Sequence, residues 1–367
     1  MTKANQLYEN LKTRVLGGVP GQPFVSFRTI MRDYSVSQAT VTKATQKLVD
    51  EGLLKKNAGR EMEITEEVLK HCSGAAPVIC LALPHWQSEW YALIEHHFFD
   101  MADKLNYELE VLRYDWRLKI PHQLPQNKID AMVLVTDGQM FTSEQLLRLE
   151  EAKVPFVIFG RNLSSFAVHC VHANDEYGGA KAAHHLVSLG HRSLAVLVSE
   201  PKSEGMTNRI KGFRQFCELN SIDSEIIDCG IVNGDFVPEK VYTTLKKRFS
   251  SGRPSFTGLF TLSEISSFGI YRACHETGLR LPQDLSVISV GQPWQADYME
   301  PPLTTIGSDV SAMVRETVRI LTGPEANGPN FVHRMLRPFL TRRGSTMAHK
   351  PGKISFDIQQ TAFLGRK

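Results

Sequence analysis

Several features that identify common protein classes are absent from this sequence. It contains no apolar run long enough to span a bilayer, and its N-terminus lacks the apolar core of a secretory signal. It also has no G-x-S-x-G sequence, no phosphate-binding loop, no dinucleotide-binding glycine motif and no cluster of metal ligands. We therefore expect a cytoplasmic protein that is not an enzyme, has no membrane partner and uses no cofactor or metal.

Paired cysteines are absent as well. The six cysteines are Cys72, Cys80, Cys170, Cys217, Cys229 and Cys274. They include no C-x-x-C pair, so the usual sequence signals of a zinc site and of a redox motif are missing. Reduced and mostly buried thiols are the expected state.

The net charge is only +3 over 367 residues, which by itself does not indicate nucleic-acid binding. The distribution of charge is more informative. Basic residues outnumber acidic ones between residues 28 and 60, and residues 347–367 form a basic tail. A local basic surface suits the neutralisation of nucleic-acid phosphates. The length predicts two or three domains.

Residues 1–70 have the pattern of three helices followed by a hairpin. The apolar residues at helical spacing in the first and third helices are Leu7, Leu11, Val15, Val41, Ala44 and Leu48. Ser26 and Ser37 stand where the N-caps of the second and third helices are expected, and Gly52 suits the end of the third. Residues 53–64 then read as a small hairpin. This order predicts a winged helix-turn-helix DNA-binding domain.

The third helix would enter the major groove by its N-terminal residues. Gln38 and Thr42 lie one turn apart and off the apolar stripe, where Gln suits adenine and Thr suits the thymine methyl group. The basic side chains suit phosphate contacts, which position the protein without reading the base sequence. The predicted DNA-binding residues are Arg28, Ser37, Gln38, Thr40, Thr42, Lys43, Lys55, Lys56, Gly59 and Arg60. The alternative is a winged helix that makes protein contacts.

Residues 77–346, after a small linker at residues 71–76, alternate apolar runs with helical patterns. Such alternation indicates β–α crossovers and an α/β fold with parallel sheets and helices on both faces. The length of this region, about 270 residues, suggests two α/β lobes. Ligands bind such lobes at the carboxyl ends of the strands, here in the cleft between the lobes.

Two stretches resemble known families. The first module resembles the winged helix of the gluconate-repressor (GntR) family in FVSFRTIMRDYSVSQATVTKATQKLVDEGLLKKNAGREMEI. The second resembles the periplasmic-binding-protein-like effector domain of the lac/gal-repressor (LacI) family in NDEYGGAKAAHHLVSLGHRSLAVL, RIKGF, TGLRLPQDLSVISV and PPLTTI. The combination resembles the arabinose-repressor type of hybrid.

The second resemblance implies an effector site. Arg209 matches the family arginine that binds ligand hydroxyls or carboxylates. Acids that hold sugar hydroxyls in the family are missing at three places, where this chain has Gly160–Arg161, Ser263–Glu264 and Gly291–Gln292. Arg161 and Arg209 instead suit an acidic ligand such as a sugar acid or phosphosugar. The full predicted set is Trp86, Trp90, Tyr91, Arg161, Arg209, Phe260, Ser263 and Gln292. Core packing is the alternative for the aromatic residues.

Together the modules predict a homodimeric transcription regulator, in which a sugar or sugar derivative in the interlobe cleft modulates affinity for a palindromic operator. The same features fit a repressor and an activator. In the alternative interpretation the sensor domain has lost small-molecule binding and serves dimerisation or partner contacts. A solute-binding protein fits the second module but leaves the basic first module unexplained. The histidines are expected to be structural.

Overall fold

The computed structural model describes residues 3–16, 21–56, 62–65, 68, 76–85, 88–115, 117, 129–136, 142, 144–145, 147, 154–292, 294–328 and 330–349. The chain divides into two compact units. Unit 1 comprises Met1–Ala173 and Asp309–Leu336, and unit 2 comprises Asn174–Ser308 and Arg337–Lys367. Among the described helices, none combines the length and the apolar character that crossing a membrane requires.

The first part of unit 1, the head (residues 1–70), has its own hydrophobic core. Its elements are α1 (Lys3–Leu16), α2 (Phe27–Tyr34), α3 (Gln38–Asp50), β1 (Leu54–Lys56) and β2 (Met62–Ile64). The six residues predicted on the inner faces of α1 and α3 are all buried. Ser26 and Ser37 cap α2 and α3 as predicted, each accepting a hydrogen bond from the backbone N–H three residues later. β1 and β2 pair antiparallel.

The described strands in the rest of unit 1 form one parallel sheet. They are β3 (Val78–Pro84), β4 (Glu108–Tyr114), β5 (Ala131–Val135), β6 (Phe156–Phe159), β7 (His169–Ala173) and β13 (His333–Leu336), in the order β13-β7-β6-β5-β3-β4. Helices α4 (Glu89–Leu105) and α9 (Val310–Thr322) bury their apolar faces in the core beside it. The central strands β3 and β5 are buried almost throughout, which explains their continuous apolar runs.

Unit 2 contains a second sheet. Its strands are β8 (Ser193–Val198), β9 (Asp223–Asp228), β10 (Gly258–Thr261), β11 (Ser286–Val290), β12 (Thr304–Gly307) and β14 (Phe339–Thr341), in the order β14-β12-β11-β10-β8-β9. Its helices are α5 (Asp175–Ser188), α6 (Glu204–Leu219), α7 (Val237–Ser250) and α8 (Ser266–Thr277). All pairings are parallel except that of the edge strand β14, which runs antiparallel to β12. The sheet was predicted to be parallel, and the structure differs from this prediction in its one antiparallel edge strand.

The C-terminal segment is part of unit 2 beyond the predicted boundary at residue 346. The Ser345 backbone N–H donates to the Pro302 carbonyl at 2.8 Å, and the His349 N–H donates to the Leu189 carbonyl at 2.7 Å. The His349 ring also stacks on His191, with ring centroids 5.2 Å apart. Residues 347–349 are thus anchored to unit 2, and the remainder of the predicted basic tail lies outside the described residues.

Candidate functional site

The N-terminal part of α3 presents a polar surface on the head. Gln38, Thr42 and Lys43 are exposed, whereas Val41 and Ala44 point into the core. The helical repeat requires this division, because residues 38 and 42 share one face and residues 41 and 44 share another. Among the described residues, no hydrogen-bond or ionic partner is found for the side chains of Gln38, Thr42 and Lys43. The structure therefore places the predicted reading residues together on an accessible face.

The predicted contacts Ser37 and Thr40 already have a structural role. The Ser37 hydroxyl accepts a hydrogen bond from the Thr40 N–H at 3.4 Å, and the two hydroxyl oxygens lie 3.0 Å apart. This capping pair satisfies a backbone N–H that would otherwise lack a partner in the first turn. Ser37 and Thr40 thus fix the start of the helix that carries Gln38.

The lysines of the hairpin are engaged within the head. Lys55 pairs with Glu63 across the two strands at 2.7 Å, and the Lys56 ammonium donates to the Gln46 side-chain oxygen at 2.7 Å. Arg28, near the start of α2, is exposed. The predicted contacts Gly59 and Arg60 lie outside the described residues.

In unit 1, two of the predicted aromatic residues occupy the first turn of α4. Tyr91 is buried, and its hydroxyl donates to the Thr136 carbonyl at 3.2 Å, just past the end of β5. Trp90 is half-buried, and its indole nitrogen lies 3.9 Å from the position that a Cβ on Gly160 would take. Tyr91 therefore serves mainly to join α4 to β5, and Trp90 borders the loop after β6. Trp86 lies outside the described residues.

Arg161 follows Gly160 at the carboxyl end of β6. Gly160 has a φ of 83°, in the left-handed region that favours glycine, and this turn carries the chain out of the strand. The Arg161 side chain is 5% exposed. A charged side chain this deeply buried is paired and not free in solvent.

In unit 2, Arg209 joins two carboxylates. Its Nε donates to Asp175 Oδ1 at 2.8 Å, and its Nη1 donates to Glu200 Oε1 at 2.9 Å. All three side chains are largely buried, with 17 to 24% exposed. Asp175, in the first turn of α5, was not among the predicted site residues, and the structure makes it a direct partner of Arg209. Glu200, which follows β8, was not singled out.

Two glycines bring Arg209 to this position. A Cβ on Gly179 of α5 would lie 1.9 Å from the Arg209 carbonyl oxygen, and a Cβ on Gly212 of α6 would lie 1.8 Å from the Glu176 carbonyl oxygen. Neither distance is possible for a real side chain, so α5 and α6 cross in backbone contact only because both positions are glycine. The crossing places Arg209 beside Asp175 in the first turn of α5.

A third carboxylate lies at the same edge of the sheet. Glu264 follows β10, and its Oε2 lies 2.5 Å from the position that a Cβ on Gly291 would take after β11. Glu264 also interacts electrostatically with Glu200 and Arg209. Burial raises the pKa of the Glu200 carboxyl to about 7, with Asp175 and Glu264 adding to the effect and Arg209 opposing it. The sequence signal for Glu200 was its position just after a predicted strand. Glu264 had been named with Ser263 as a place where the family's acid is missing, and the structure shows that Glu264 itself brings a carboxylate to this edge.

The remaining predicted residues of unit 2 have different environments. Phe260 is fully buried in β10 and stacks on Phe213 with ring centroids 5.5 Å apart, so the structure places it in the core and not at an accessible site. Gln292 accepts hydrogen bonds from the Thr305 and Thr341 hydroxyls at 3.3 and 3.2 Å, which ties it to β12 and β14. Ser263 is half-buried beside Glu264.

Phe236 is an exposed aromatic residue at this edge and was not among the predicted site residues. Phe236 immediately precedes α7, in the loop that follows β9, and 70% of its side chain is exposed. Because β9 is parallel to β8, its loop opens at the same edge as Glu200. In the sequence, Phe236 is an apolar residue that follows Gly234–Asp235 and precedes a helix with proline in its first turn. That position was the available sign that Phe236 lies in an exposed loop.

Two buried histidines of unit 2, His185 and His191, have partners within that unit. His185 Nε2 lies 2.9 Å from the Thr346 hydroxyl, and His191 bonds to the Thr257 hydroxyl at 2.8 Å and to the Met347 carbonyl at 3.2 Å. Burial lowers the pKa of both histidines to about 4. Across the described residues, no three His, Cys, Asp or Glu side chains form a group that could hold a metal ion.

Residues 183–346 match the family model described as periplasmic binding protein-like domain. The chain is 25% identical over 304 residues to the HTH-type transcriptional regulator DegA of Bacillus subtilis, covering 80% of this chain and 86% of that protein. It is 33% identical over 187 residues to the transcriptional repressor PurR of Salmonella paratyphi B, covering 50% and 53% respectively.

Solved structures share the fold. A LacI family transcriptional regulator from Enterococcus faecium with bound ribose superposes with a TM-score of 0.60 at 21% identity, covering 74% of this chain and all of that one. The CelR–cellobiose complex gives a TM-score of 0.59 at 19% identity and covers 84% of this chain and 91% of that one. The relatives are transcription regulators and not enzymes, which confirms the expectation that this chain is not an enzyme. The chain is therefore similar to LacI-family regulators over most of its length, and its residues 183–346 match the periplasmic binding protein-like domain.

Proposed function

We propose that the chain is a ligand-responsive transcription regulator that reads a palindromic operator through a GntR-type winged helix. The observation that carries the proposal is the exposed first turn of α3, with Gln38 and Thr42 on one face, in a chain that also matches a periplasmic binding protein-like domain. The similarity to DegA over 80% of the chain supports the regulator class. The head is suited to the major groove, because α3 and the hairpin are the elements that a winged helix applies to DNA.

The proposed effector is a small hydroxyl-rich molecule held at the carboxyl edges of the parallel strands. Arg209 with Asp175 and Glu200 supplies the polar groups in unit 2, and Phe236 supplies an apolar face. In unit 1, described by itself, Trp90 lies in the first turn of α4 and Arg161 follows β6. Regulators of similar fold hold ribose and cellobiose in their structures, which supports a sugar-like ligand here.

A homodimer completes the proposal, because a palindromic operator presents two half-sites related by a two-fold axis. Effector binding would change how the paired heads meet these half-sites and so change operator affinity. Sedimentation at micromolar protein concentration should give twice the chain mass.

The test is selection of DNA from a random duplex pool by the full chain at moderate salt. Enrichment of a palindrome that disappears for the double variant Q38A/T42A, with the variant still folded, supports the proposal. If the folded chain enriches no sequence, the head does not read DNA under these conditions and the proposal fails in this form.

A second candidate is a regulator whose unit 2 no longer binds a small molecule. The observation that favours it is the internal pairing of Arg209, whose Nε and Nη1 are both occupied. In that case the palindrome would still be enriched, but no small molecule would shift the melting temperature or release the operator.

A further inference from the structure

The polar side chains of α3 form a row that continues beyond Gln38 and Thr42. Gln46 and Asp50 follow at the same interval of four residues, so each side chain of the row is a neighbour of the next on the helix surface. Gln46 is partly buried and Asp50 is exposed. The later part of α3 contacts the hairpin through β1. The row therefore leads from the predicted reading residues toward the hairpin.

Gln46 joins the hairpin to this row. Its side-chain oxygen accepts a hydrogen bond from the Lys56 ammonium at 2.7 Å, and its side-chain nitrogen donates to Asp50 Oδ1 at 2.7 Å. A carboxylate only accepts hydrogen bonds and an ammonium only donates them, so a single orientation of the Gln46 amide satisfies both partners. Asp50 therefore turns the Gln46 oxygen toward Lys56.

The two lysines of β1 have different partners, because successive side chains of a strand point to opposite faces. Lys55 forms an ion pair with Glu63 on β2 at 2.7 Å. Lys56 is held by the neutral amide of Gln46 and forms no ion pair within the described part of the head. One of its three N–H donors is used in this contact, and two remain for an acceptor outside the protein. Lys56 is thus fixed in place without being neutralised.

Resting on the proposed function, we propose that Gln46 is a positioning residue for DNA binding, which holds the Lys56 ammonium beside α3 for contact with a DNA phosphate. Gln38 and Thr42 precede Gln46 by two turns and one turn of the same helix, so the ammonium is fixed relative to both. Phosphate contacts set the register and orientation of a protein on the duplex. A lysine that is already ordered also loses less conformational entropy when it binds than a free one.

The neutrality of Gln46 is part of this role. A carboxylate at position 46 would also accept a hydrogen bond from Lys56, but it would balance the charge that attracts the phosphate and would repel Asp50 one turn away. An alanine would leave both the position and the orientation of the ammonium undetermined. Substitutions at this residue can therefore separate the placement of Lys56 from its charge.

The first experiment tests the contact without DNA. The full chain is treated with a limiting amount of an acetylating reagent, and peptide mass spectrometry measures the labelling of Lys56 relative to Lys43, which is exposed and has no partner among the described residues. Lys56 should react about 2- to 10-fold more slowly than Lys43, and Q46A should remove the difference. T13A, which deletes an exposed hydroxyl of α1, is the control and should keep the parent ratio. A parent ratio in Q46A would overturn the inference.

The second experiment measures affinity for the selected operator and for random duplex DNA by fluorescence anisotropy. Q46A should weaken operator binding about 2- to 10-fold, while its melting temperature stays within about 2 °C of the parent. The double variant Q46A/K56A should bind like K56A within about twofold, because Gln46 acts only through Lys56. Losses that multiply in the double variant would show that the two residues act independently, and would overturn the inference.

The variant Q46E separates placement from charge. It should protect Lys56 from acetylation, yet bind DNA more weakly than Q46A and with a smaller slope of log affinity against log salt. Operator binding by Q46E as tight as that of the parent would overturn the inference. If the parent selects an operator and Q46A binds it unchanged, the inference fails and the proposed function stands. If labelling shows the contact but the parent selects no DNA, the proposed function fails and the role of Gln46 in DNA binding fails with it.

Discussion

Arg209 binds two carboxylates from different elements, Asp175 at the start of α5 and Glu200 after β8, at 2.8 and 2.9 Å. The arginine thereby joins the first turn of a helix to the end of a central strand. Because all three side chains are largely buried, each depends on the others for its hydrogen bonds. The stability of unit 2 and the shape of its candidate site therefore rest on the same group.

We expect R209M to reduce the free energy of unfolding by about 3–5 kcal/mol, because it leaves two buried carboxylates without their partner. R214M on the same helix is the control, since Arg214 forms only an exposed pair with Glu218 and should cost less than about 0.5 kcal/mol. Urea denaturation followed by circular dichroism measures both. Equal stabilities for the two variants would show that the Arg209 group is not a structural link.

Gly178 and Gly179 are adjacent in α5, but only Gly179 is packed against the backbone of α6. G179A places a methyl group against the Arg209 backbone carbonyl and should cost about 1–3 kcal/mol or more, with weaker ligand binding as α6 shifts. G178A meets only the Pro338 ring at 3.4 Å and should be neutral, or stabilising by about 0.5–1 kcal/mol through helix propensity. Thermal melts measure the stability of both variants. Similar losses of stability would contradict the close crossing of α5 and α6.

The pKa of Glu200 predicts a pH dependence of stability. Its folded value is about 7 against an ordinary 4.5, so the folded chain binds more protons than the unfolded chain between these values. The stability this group contributes is present below about pH 4.5 and is lost as pH rises through 7. E200Q should therefore match the parent near pH 4.5 and become progressively more stable than the parent up to about pH 8.

His185 and His191 act in the opposite direction, because burial lowers their pKa values to about 4 and the stability of their neutral forms is lost as pH falls below 6.5. They are unchanged in E200Q, so their contribution cancels in the difference between the two proteins. Denaturant midpoints at intervals from pH 4.5 to 8 supply that difference. A difference that does not change with pH would mean that Glu200 is ionised throughout the range.

In the head, the variants Q38A and K43A should distinguish a residue that reads DNA bases from one that contacts DNA phosphates. If Gln38 reads a base edge as proposed, Q38A should cost about 1–3 kcal/mol on the selected operator and little on random DNA. If Lys43 contacts phosphate as proposed, K43A should weaken binding to both DNAs equally and reduce the slope of log affinity against log salt by about one. Fluorescence anisotropy at several salt concentrations measures both effects, and a uniform loss for Q38A would argue against base reading.

Features of the head that depend on neighbouring residues could be predicted from the sequence. The apolar spacing of α1 and α3, the caps at Ser26 and Ser37, and the turn at Gly52 are each determined by neighbouring residues, and the structure confirms them. The edge strand β9 was missed, because its sequence DSEIID lacks an apolar run and only one of its residues is buried. An edge strand forms through pairing with its neighbour, which local pattern does not reveal.

The candidate site in unit 2 was anticipated only in part. Arg209 was found by resemblance, but its partners Asp175 and Glu200 were not, since they are 34 and 9 residues away along the chain. Phe260 was predicted at the site because its strand end faces that edge, yet its side chain points into the helix layer. Successive side chains in a strand point to opposite faces of the sheet, so a shift of one residue moves a side chain to the other face. A short strand that is apolar throughout has no alternation to show which residues lie on which face.

The sequence by itself determined the order of elements, the polar face of α3, and the alternation that builds two parallel sheets, because these depend on residue spacing along the chain. Only the tertiary structure decided the charge at the unit 2 edge. Close packing of α5 and α6 at Gly179 and Gly212 pairs Arg209 with acids, and the Glu264 carboxylate occupies the place that a side chain at Gly291 would take. Electrostatics depends on distance in space, and those distances are set by packing between elements remote in sequence.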